Sequence, residues 1–207
     1  MTADEFCQDY PRLYHMATAG ALPQIEKYGL LSTEATLDLL GITNPERDRL
    51  LASRRPESVT LENPDIGKFV LRDQIPMRDS ALQACLQDME IPAWYRLLNE
   101  RVFMWASLDR VETLLSARAY RKSEHLILTI DTKKLLAAYE KQVYLSAINS
   151  GATLYTPPAR GAFTFSTLAE YERINGRKRV VEVTVKYAIP DMAKYIILSE
   201  TKRAQTR

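Results

Sequence analysis

The alternation of hydrophobic and polar positions is clearest in residues 179–187. Val181, Val183 and Val185 are separated by single polar residues, and this period of two predicts a half-buried β-strand. Glu182 occupies one of the polar positions, so the pattern predicts a carboxylate held by a rigid element on the solvated face of the strand. Taken alone, such a residue is most often an exposed surface glutamate.

Shorter apolar runs predict four more strands, at residues 13–17, 101–106, 126–130 and 142–146, with a weaker candidate at 195–198. Between them, capping residues followed by hydrophobic positions at helical spacing predict helices. The clearest of these are residues 19–28, 34–40, 108–119 and 133–139. Strands that alternate with helices and cluster toward the C-terminal half predict an α+β fold with a mixed or antiparallel sheet of about six strands.

Two segments interrupt this order. Residues 44–100 contain helical patterns around two short apolar runs and many charged residues, which predicts a mainly helical insertion with a solvated face. Residues 147–179 contain three turn sequences and no clear periodicity, which predicts a long, irregular loop. With these two segments included, residues 1–207 are predicted to form a single domain.

The predicted loop is rich in rings and cations. Its aromatic residues are Tyr155, Phe163, Phe165 and Tyr171, and they are interleaved with Arg160, Arg173, Arg177, Lys178 and Arg179. Rings stack on nucleobases and cations contact phosphates, so the loop is a candidate for binding single-stranded nucleic acid. An ordered loop whose aromatic side chains pack on the domain is an equally good interpretation.

Composition narrows the class of protein. The formal net charge is +2, so attraction to nucleic acid or to a membrane surface must come from a local patch. Two cysteines and two histidines stand far apart, and their spacing predicts neither a zinc site nor a disulfide framework. The sequence has no signal peptide and no apolar run long enough to span a membrane, so we expect a cytoplasmic protein without a membrane partner.

Several stretches resemble the ADP-ribosyltransferase superfamily, in particular the DarT-type enzymes that modify nucleic acids. Leu13–Thr18 (LYHMAT) and Tyr28–Ser32 (YGLLS) are similar to the beginning of these enzymes and of the related tRNA 2′-phosphotransferases. Arg101–Ser107 is similar to their aromatic strand, and Val181–Val185 with Ile189-Pro190 resembles the segment that holds the catalytic glutamate. The resemblance implies a split sheet with NAD⁺ in the cleft between its halves.

A second resemblance concerns two other stretches. The chain looks like a bacterial family of uncharacterised domains in which Arg72–Pro76 (RDQIP) and Asn149–Tyr155 (NSGATLY) recur.

The first resemblance also implies a chemistry. Cleavage of the nicotinamide–ribose bond passes through an oxocarbenium-like state, which a carboxylate stabilises while it helps to remove the proton of the acceptor. Glu182 is therefore expected to be catalytic. His15 is expected to hold ribose hydroxyls, a tyrosine to stack on the nicotinamide, and Arg54, Arg72 or Arg118 to neutralise the pyrophosphate. The expected NAD⁺-binding residues are Tyr14, His15, Arg72, Trp105, Arg118 and Tyr120.

The implied acceptor is a base of DNA or RNA. Enzymes of this fold that modify protein arginines usually carry Glu or Gln two residues before the catalytic glutamate, where this chain has Val180. The expected acceptor-binding residues are Tyr155, Arg160, Phe163, Phe165 and Arg177. Such an enzyme is expected to be the toxin of a toxin–antitoxin or anti-phage system, with an antitoxin protein as partner. The alternatives are a transferase acting on protein or on 2′-phosphorylated RNA, and a non-catalytic nucleic-acid-binding or partner-binding domain.

Overall fold

The α+β architecture expected from the sequence is confirmed in a computed structural model, which describes residues 1–204. Its strands are β1 (Arg12–Thr18), β2 (Leu30–Leu31), β3 (Val59–Asn63), β4 (Gly67–Leu71), β5 (Arg101–Trp105), β6 (His125–Asp131), β7 (Val143–Ser146), β8 (Glu182–Lys186), β9 (Ala188–Ile189) and β10 (Ile196–Lys202). Six of them form one sheet in the order β10-β6-β1-β5-β8-β7. Every neighbouring pair in this sheet is antiparallel.

Nine helices surround the sheet within the described residues. They are α1 (Ala3–Asp9), α2 (Leu22–Tyr28), α3 (Thr33–Leu39), α4 (Glu46–Ala52), α5 (Asp79–Cys85), α6 (Ile91–Asn99), α7 (Leu108–Ser116), α8 (Thr132–Tyr139) and α9 (Leu168–Asn175). None of the helices in residues 1–204 has the length and apolar character that a membrane crossing needs.

Both faces of the sheet are covered. The first face packs the largest hydrophobic cluster, which includes Leu13, Leu128 and Val183, against α1, α2, α8 and α9. The second face carries two smaller clusters. One joins β1 and β6 to α7, and the other joins β5 and β7 to α5 and α6. Because the second face is not open to water, polar residues that alternate toward it are buried as well.

The segment 44–100 contains α4, α5 and α6 together with the β3–β4 hairpin, which pairs five residues on each strand. The two short apolar runs of the sequence lie in the two strands of this hairpin. The buried Arg55 side chain joins these pieces: Nη1 donates to Leu50 O and to Asn99 Oδ1, both at 2.9 Å, and Nε donates to Arg72 O at 3.1 Å. Burial lowers the pKa of Arg55 to about 10.

The segment 147–179 is also more regular than predicted. Leu168–Asn175 forms α9, so the prediction of one long irregular loop is wrong for this part of the chain. Thr167 and Glu170 form a capping box at the start of α9, a sequence signal of a helix N-terminus. Tyr171 packs into the main core from this helix.

A close backbone approach at Gly29 joins β2 to β9. Gly29 has φ 79° and ψ −168°, a conformation that is open almost only to glycine. A Cβ atom there would lie 2.1 Å from Ile189 O and 2.5 Å from Pro190 Cα. The pairing of Leu30 with Ile189 therefore depends on the missing side chain.

We expect Gly29→Ala to destabilise the protein much more than Gly41→Ala. Both glycines have positive φ, but a Cβ on Gly41 meets nothing within 4 Å. Gly41→Ala should cost about 1 kcal/mol from backbone strain, whereas Gly29→Ala adds a backbone clash and should cost at least about 3 kcal/mol. Urea denaturation of both variants measures the difference. Equal losses would show that the β2–β9 approach does not depend on Gly29.

Candidate functional site

A single row of residues crosses the second face of the sheet. Tyr14 is opposite Trp105, Trp105 is opposite Glu182, and Glu182 is opposite Ser146. Directly opposite residues in a sheet project from the same face, so these side chains are neighbours. The structure thus brings together three of the residues that the sequence resemblance nominated: Tyr14, Trp105 and Glu182.

The sheet diverges beside this row. In the described chain, β1 pairs with β5 only at Tyr14 and Trp105, whereas β1 pairs with β6 along its whole length. At the divergence, two backbone carbonyls accept hydrogen bonds from side chains in place of a neighbouring strand. The Nδ1 of His15 lies 2.7 Å from Phe103 O, and Nη1 of Arg72 donates to Met16 O at 3.1 Å.

The His15 contact fixes the tautomer of the ring. A carbonyl oxygen only accepts, so Nδ1 carries the proton and donates it to Phe103 O. Burial and the nearby Arg72 cation lower the pKa of His15 to about 4. The ring is therefore neutral at physiological pH, and its Nε2 presents a lone pair that can accept a hydrogen bond from a hydroxyl group.

Arg72 is the cation nearest to His15 that the structure identifies. It follows β4 directly, and its Cζ lies 4.9 Å from the centre of the Tyr120 ring. The Tyr120 hydroxyl donates to Asp73 Oδ1 at 2.7 Å, which fixes the ring under the guanidinium. Arg72 forms no ion pair within the described residues, so its charge is available to an anion.

Glu182 is buried, which corrects the expectation that it stands on a solvated face. Only 4% of its surface is exposed, because α5, α6 and the segment after β7 cover the second face of the sheet. The Ser150 N–H donates to Glu182 Oε2 at 3.1 Å. Burial raises the pKa of Glu182 to about 7, although the Ser150 hydrogen bond and the Arg160 and Arg110 charges act in the opposite direction.

The segment that covers Glu182 is anchored to the insertion. Thr153 N donates to Pro76 O at 2.9 Å, and Arg78 N donates to Thr153 Oγ1 at 2.7 Å. The two stretches that resemble the bacterial domain family, 72–76 and 149–155, therefore meet beside Glu182.

The remaining predicted residues separate into buried and exposed groups. Tyr155 is 99% exposed with φ 65°, Phe163 is 39% exposed, and Arg118 and Arg177 are also exposed. Arg160 and Phe165 were predicted to contact an acceptor, but the structure places both in the interior. Phe165 packs between Trp94 and Phe103. Arg54 is half-buried and donates to the carbonyls of Gln74 and Ile75.

Open grooves occur elsewhere on the molecule. One of about 480 Å³ is lined by residues of α2, α3 and β9, including Tyr28 and Tyr187, and one of about 450 Å³ lies between α1 and α8. Neither is lined by Glu182. A substrate can therefore reach this carboxyl group only if the covering segment moves. Residues 1–204 contain no group of three His, Cys, Asp or Glu side chains that could hold a metal ion.

Sequence analysis did not identify three residues that hold the site together. Ser150 contacts Glu182 through its backbone, Asp73 holds Tyr120, and Arg55 anchors Arg72. The one available signal was the recurrence of 72–76 and 149–155 in the similar bacterial domains. Backbone donors and interior arginines carry no periodic pattern that could identify them.

We expect Glu182→Gln to stabilise the protein at pH 8 and to have little effect at pH 5. The folded pKa of Glu182, about 7, exceeds the ordinary value of 4.5, so the folded state binds the proton more tightly than the unfolded state. The associated stability is fully present below pH 4.5 and is lost as the pH rises through 7, a loss of roughly 3 kcal/mol. Urea denaturation at pH 5, 6.5 and 8 measures it.

The lowered pKa of His15 changes the stability of the protein with pH in the opposite direction. Its contribution to the free energy of unfolding is present above pH 6.5 and is lost as the pH falls toward 4. His15 is present in both proteins, so the difference between variant and wild type at each pH isolates Glu182, and most of that difference develops between pH 4.5 and 7. A Glu182→Gln protein with the pH dependence of the wild type would contradict the assignment of a raised pKa.

Comparison with known proteins adds a family but not an activity. None of the curated proteins matches the chain. Residues 11–196 match the model of DUF7002, described as a family of unknown function. The matched range spans β1 to the beginning of β10 and contains every residue of the site described above. The chain belongs to the DUF7002 family.

Proposed function

We propose that this protein is an NAD⁺-dependent mono-ADP-ribosyltransferase that modifies a base of DNA or RNA. The observation that carries the proposal is the position of Glu182, a buried carboxyl group in one row with two aromatic rings, beside a divergence of the sheet. The neutral His15 is opposite Leu128 and so starts from the first face, but its ring reaches the divergence at Phe103 O, and Arg72 reaches it at Met16 O. The resemblance of the same strands to DarT-type enzymes supports it independently.

The divergence has groups suited to NAD⁺. The Arg72 guanidinium suits the pyrophosphate, since a planar cation without an ion-pair partner binds phosphate oxygens in a bidentate manner. The Nε2 of His15 can accept a ribose hydroxyl. Tyr14 and Trp105 are only partly buried, so their rings can stack on a planar group.

The reaction exchanges one bond at the ribose. The bond from C1′ of the ribose to the nicotinamide nitrogen breaks, and its electron pair leaves with nicotinamide. The acceptor nitrogen or oxygen then bonds to C1′ and loses a proton, which the Glu182 carboxylate takes. A carboxylate next to C1′ also stabilises the positive charge that develops in the transition state. A pKa near 7 suits a group that must bind and release a proton at neutral pH.

The acceptor surface is proposed at Tyr155, Phe163 and Arg177. Tyr155 projects fully into solvent from the segment that covers Glu182, Phe163 is 39% exposed, and Arg177 is exposed two residues after the end of α9. Exposed rings and cations suit a nucleobase and its phosphate better than a protein side chain. An ADP-ribosylated nucleic acid blocks replication or translation, so the proposed cellular role is that of a toxin held in check by an antitoxin protein.

Transfer from NAD⁺ is expected to depend on Glu182. Incubation of the purified protein with ³²P-labelled NAD⁺ and separate DNA, RNA and protein pools should label one nucleic-acid pool. Glu182→Gln should lower labelling by about two to four orders of magnitude, because the proton acceptor and the charge are lost. His15→Ala should weaken NAD⁺ binding as well as rate, since its hydroxyl contact exists before the reaction.

The matched control is Glu62→Gln, an exposed glutamate on β3 far along the chain from the site. It should label like the wild type. Labelling of the protein pool alone would show that the acceptor is a protein and not a nucleic acid. Labelling by Glu182→Gln at the wild-type rate would show that Glu182 is not the catalytic group.

Acceptor recognition is expected to depend on Tyr155 and Arg177. Tyr155→Asn keeps a residue that tolerates positive φ and removes the ring, so it should weaken acceptor use by roughly tenfold without affecting NAD⁺ binding. Arg177→Ala should reduce the salt dependence of acceptor binding by about one phosphate contact. Fluorescence titration at several salt concentrations measures both. The exposed Arg121, replaced by Ala, is the control. An equal effect of Arg121→Ala would show a diffuse charge effect instead.

A further inference from the structure

A buried arginine, Arg160, joins the two ends of residues 150–160, the segment that covers Glu182. Arg160 has no exposed surface, and its Nη1 donates to Ser150 O at 2.9 Å. Ser150, also fully buried, donates its N–H to Glu182 Oε2. One residue thus contacts the carboxyl group through its N–H and the guanidinium through its C=O. The eleven residues from 150 to 160 form a loop whose two ends are joined at Ser150, next to Glu182.

The base of this loop is fixed while its tip is free. Arg160 N donates to Cys85 O at 2.9 Å, and Gln87 N donates to Arg160 O at 2.8 Å, so Arg160 is held against the end of α5. Between the two ends, the backbone at Tyr155 has a positive φ and the ring is fully exposed. Thr153, two residues before Tyr155, is held to Pro76 O and Arg78, so a displacement of the tip acts on this anchor as well as on the two contacts at Ser150.

The closed arrangement leaves buried polar atoms without partners. Arg160 Nη2 and Ser150 Oγ are both buried and make no hydrogen bond within the described residues. The second contact of the guanidinium, from Nε to Pro158 O, is long at 3.4 Å. Each buried polar atom without a partner costs free energy, so the contacts that hold the loop closed are opposed by the burial of the same groups. Such a closure is able to open.

We propose that Arg160 and Ser150 form a latch that closes residues 150–160 over Glu182, so that Arg160 is a positioning residue and not an acceptor contact. While the latch is closed, the carboxyl group is covered and substrate cannot reach it. When the latch opens, water and substrate enter and Ser150 leaves Glu182. The regulatory meaning of the latch rests on the proposed function: an acceptor that binds at Tyr155 opens it, and NAD⁺ is not consumed without an acceptor.

Opening also changes the ionisation of the carboxyl group. The groups around Glu182 that lower its pKa are the Ser150 hydroxyl and N–H, Arg160 in the loop and Arg110 on α7. Burial outweighs all of them, so loss of cover lowers the pKa of Glu182 toward its ordinary value, whereas loss of the Arg160 charge alone raises it further. The pKa of Glu182 therefore falls if Arg160→Met opens the loop and rises if the substitution only removes the charge.

The test is the pKa of Glu182 in Arg160→Met, a substitution that keeps most of the buried volume and removes the donors and the charge. The protein is labelled with ¹³C at glutamate Cδ, and the Glu182 resonance is assigned with Glu182→Gln. We expect the pKa to fall by at least one unit below that of the wild type. We also expect the Ser150 amide to exchange with deuterium at least about tenfold faster. If Arg160→Met does not fold, Arg160→Leu, which also lacks donors and charge, gives the same comparison.

Two further variants separate the latch from general loosening. Arg160→Lys, which can still donate to Ser150 O, should restore most of the wild-type pKa. Ser150→Ala keeps both backbone contacts and removes only the hydroxyl group, which lowers the pKa of Glu182. This variant should therefore raise the pKa, opposite to Arg160→Met, and leave the amide exchange unchanged. A pKa that rises or stays constant in Arg160→Met would overturn the latch, and so would a Ser150→Ala variant that behaves like Arg160→Met.

These measurements need no enzymatic activity, so they test the latch even if transfer from NAD⁺ is never observed. If transfer is observed, Arg160→Met should hydrolyse NAD⁺ without acceptor at least about tenfold faster than the wild type. If the pKa of Glu182 falls in Arg160→Met but NAD⁺ hydrolysis is unchanged, the latch covers Glu182 but does not prevent the consumption of NAD⁺.

Discussion

The loss of strand pairing between β1 and β5 is the constraint on which the rest of the site depends. Buried backbone groups must be paired, so two strands that diverge inside a sheet need other partners for their carbonyls. His15 and Arg72 supply them. Each side chain is then fixed at the divergence by a structural hydrogen bond and still has polar atoms to offer a ligand. The same two residues thus meet a structural requirement of the sheet and have the contacts on which the proposed binding of NAD⁺ rests.

The sequence was sufficient for the sheet because strand patterns are local. The alternation in 179–187, the apolar runs at 101–106 and 126–130, and the run at 142–146 all became strands of the central sheet with nearly the expected bounds. Local alternation does not tell which face of a strand is solvated, however. Glu182 alternates with valines like a surface residue, but its face is covered by helices from a segment that begins about 100 residues earlier.

Interior arginines were the second limit of sequence analysis. Arg160 lies in a stretch of turns and exposed residues, where cations are usually solvated. Its burial depends on contacts with Cys85, Gln87 and Ser150, and only the last of these is close in sequence. The resemblance of 72–76 and 149–155 to a family of bacterial domains singled out two segments without periodicity, and these segments meet in space at Pro76 and Thr153.

The position of β8 in the sheet has a consequence for biosynthesis. β8 lies between β5 and β7, both of which leave the ribosome before it. A nascent chain that has reached residue 180 already contains His15, Arg72, Trp105 and Arg160, but the middle of its sheet is incomplete and it lacks Glu182. The site is therefore assembled in one late step, when residues 182–186 insert between two strands that were made earlier. Shortened translation products that lack β8 carry the groups proposed to bind NAD⁺ without the one proposed to act on it.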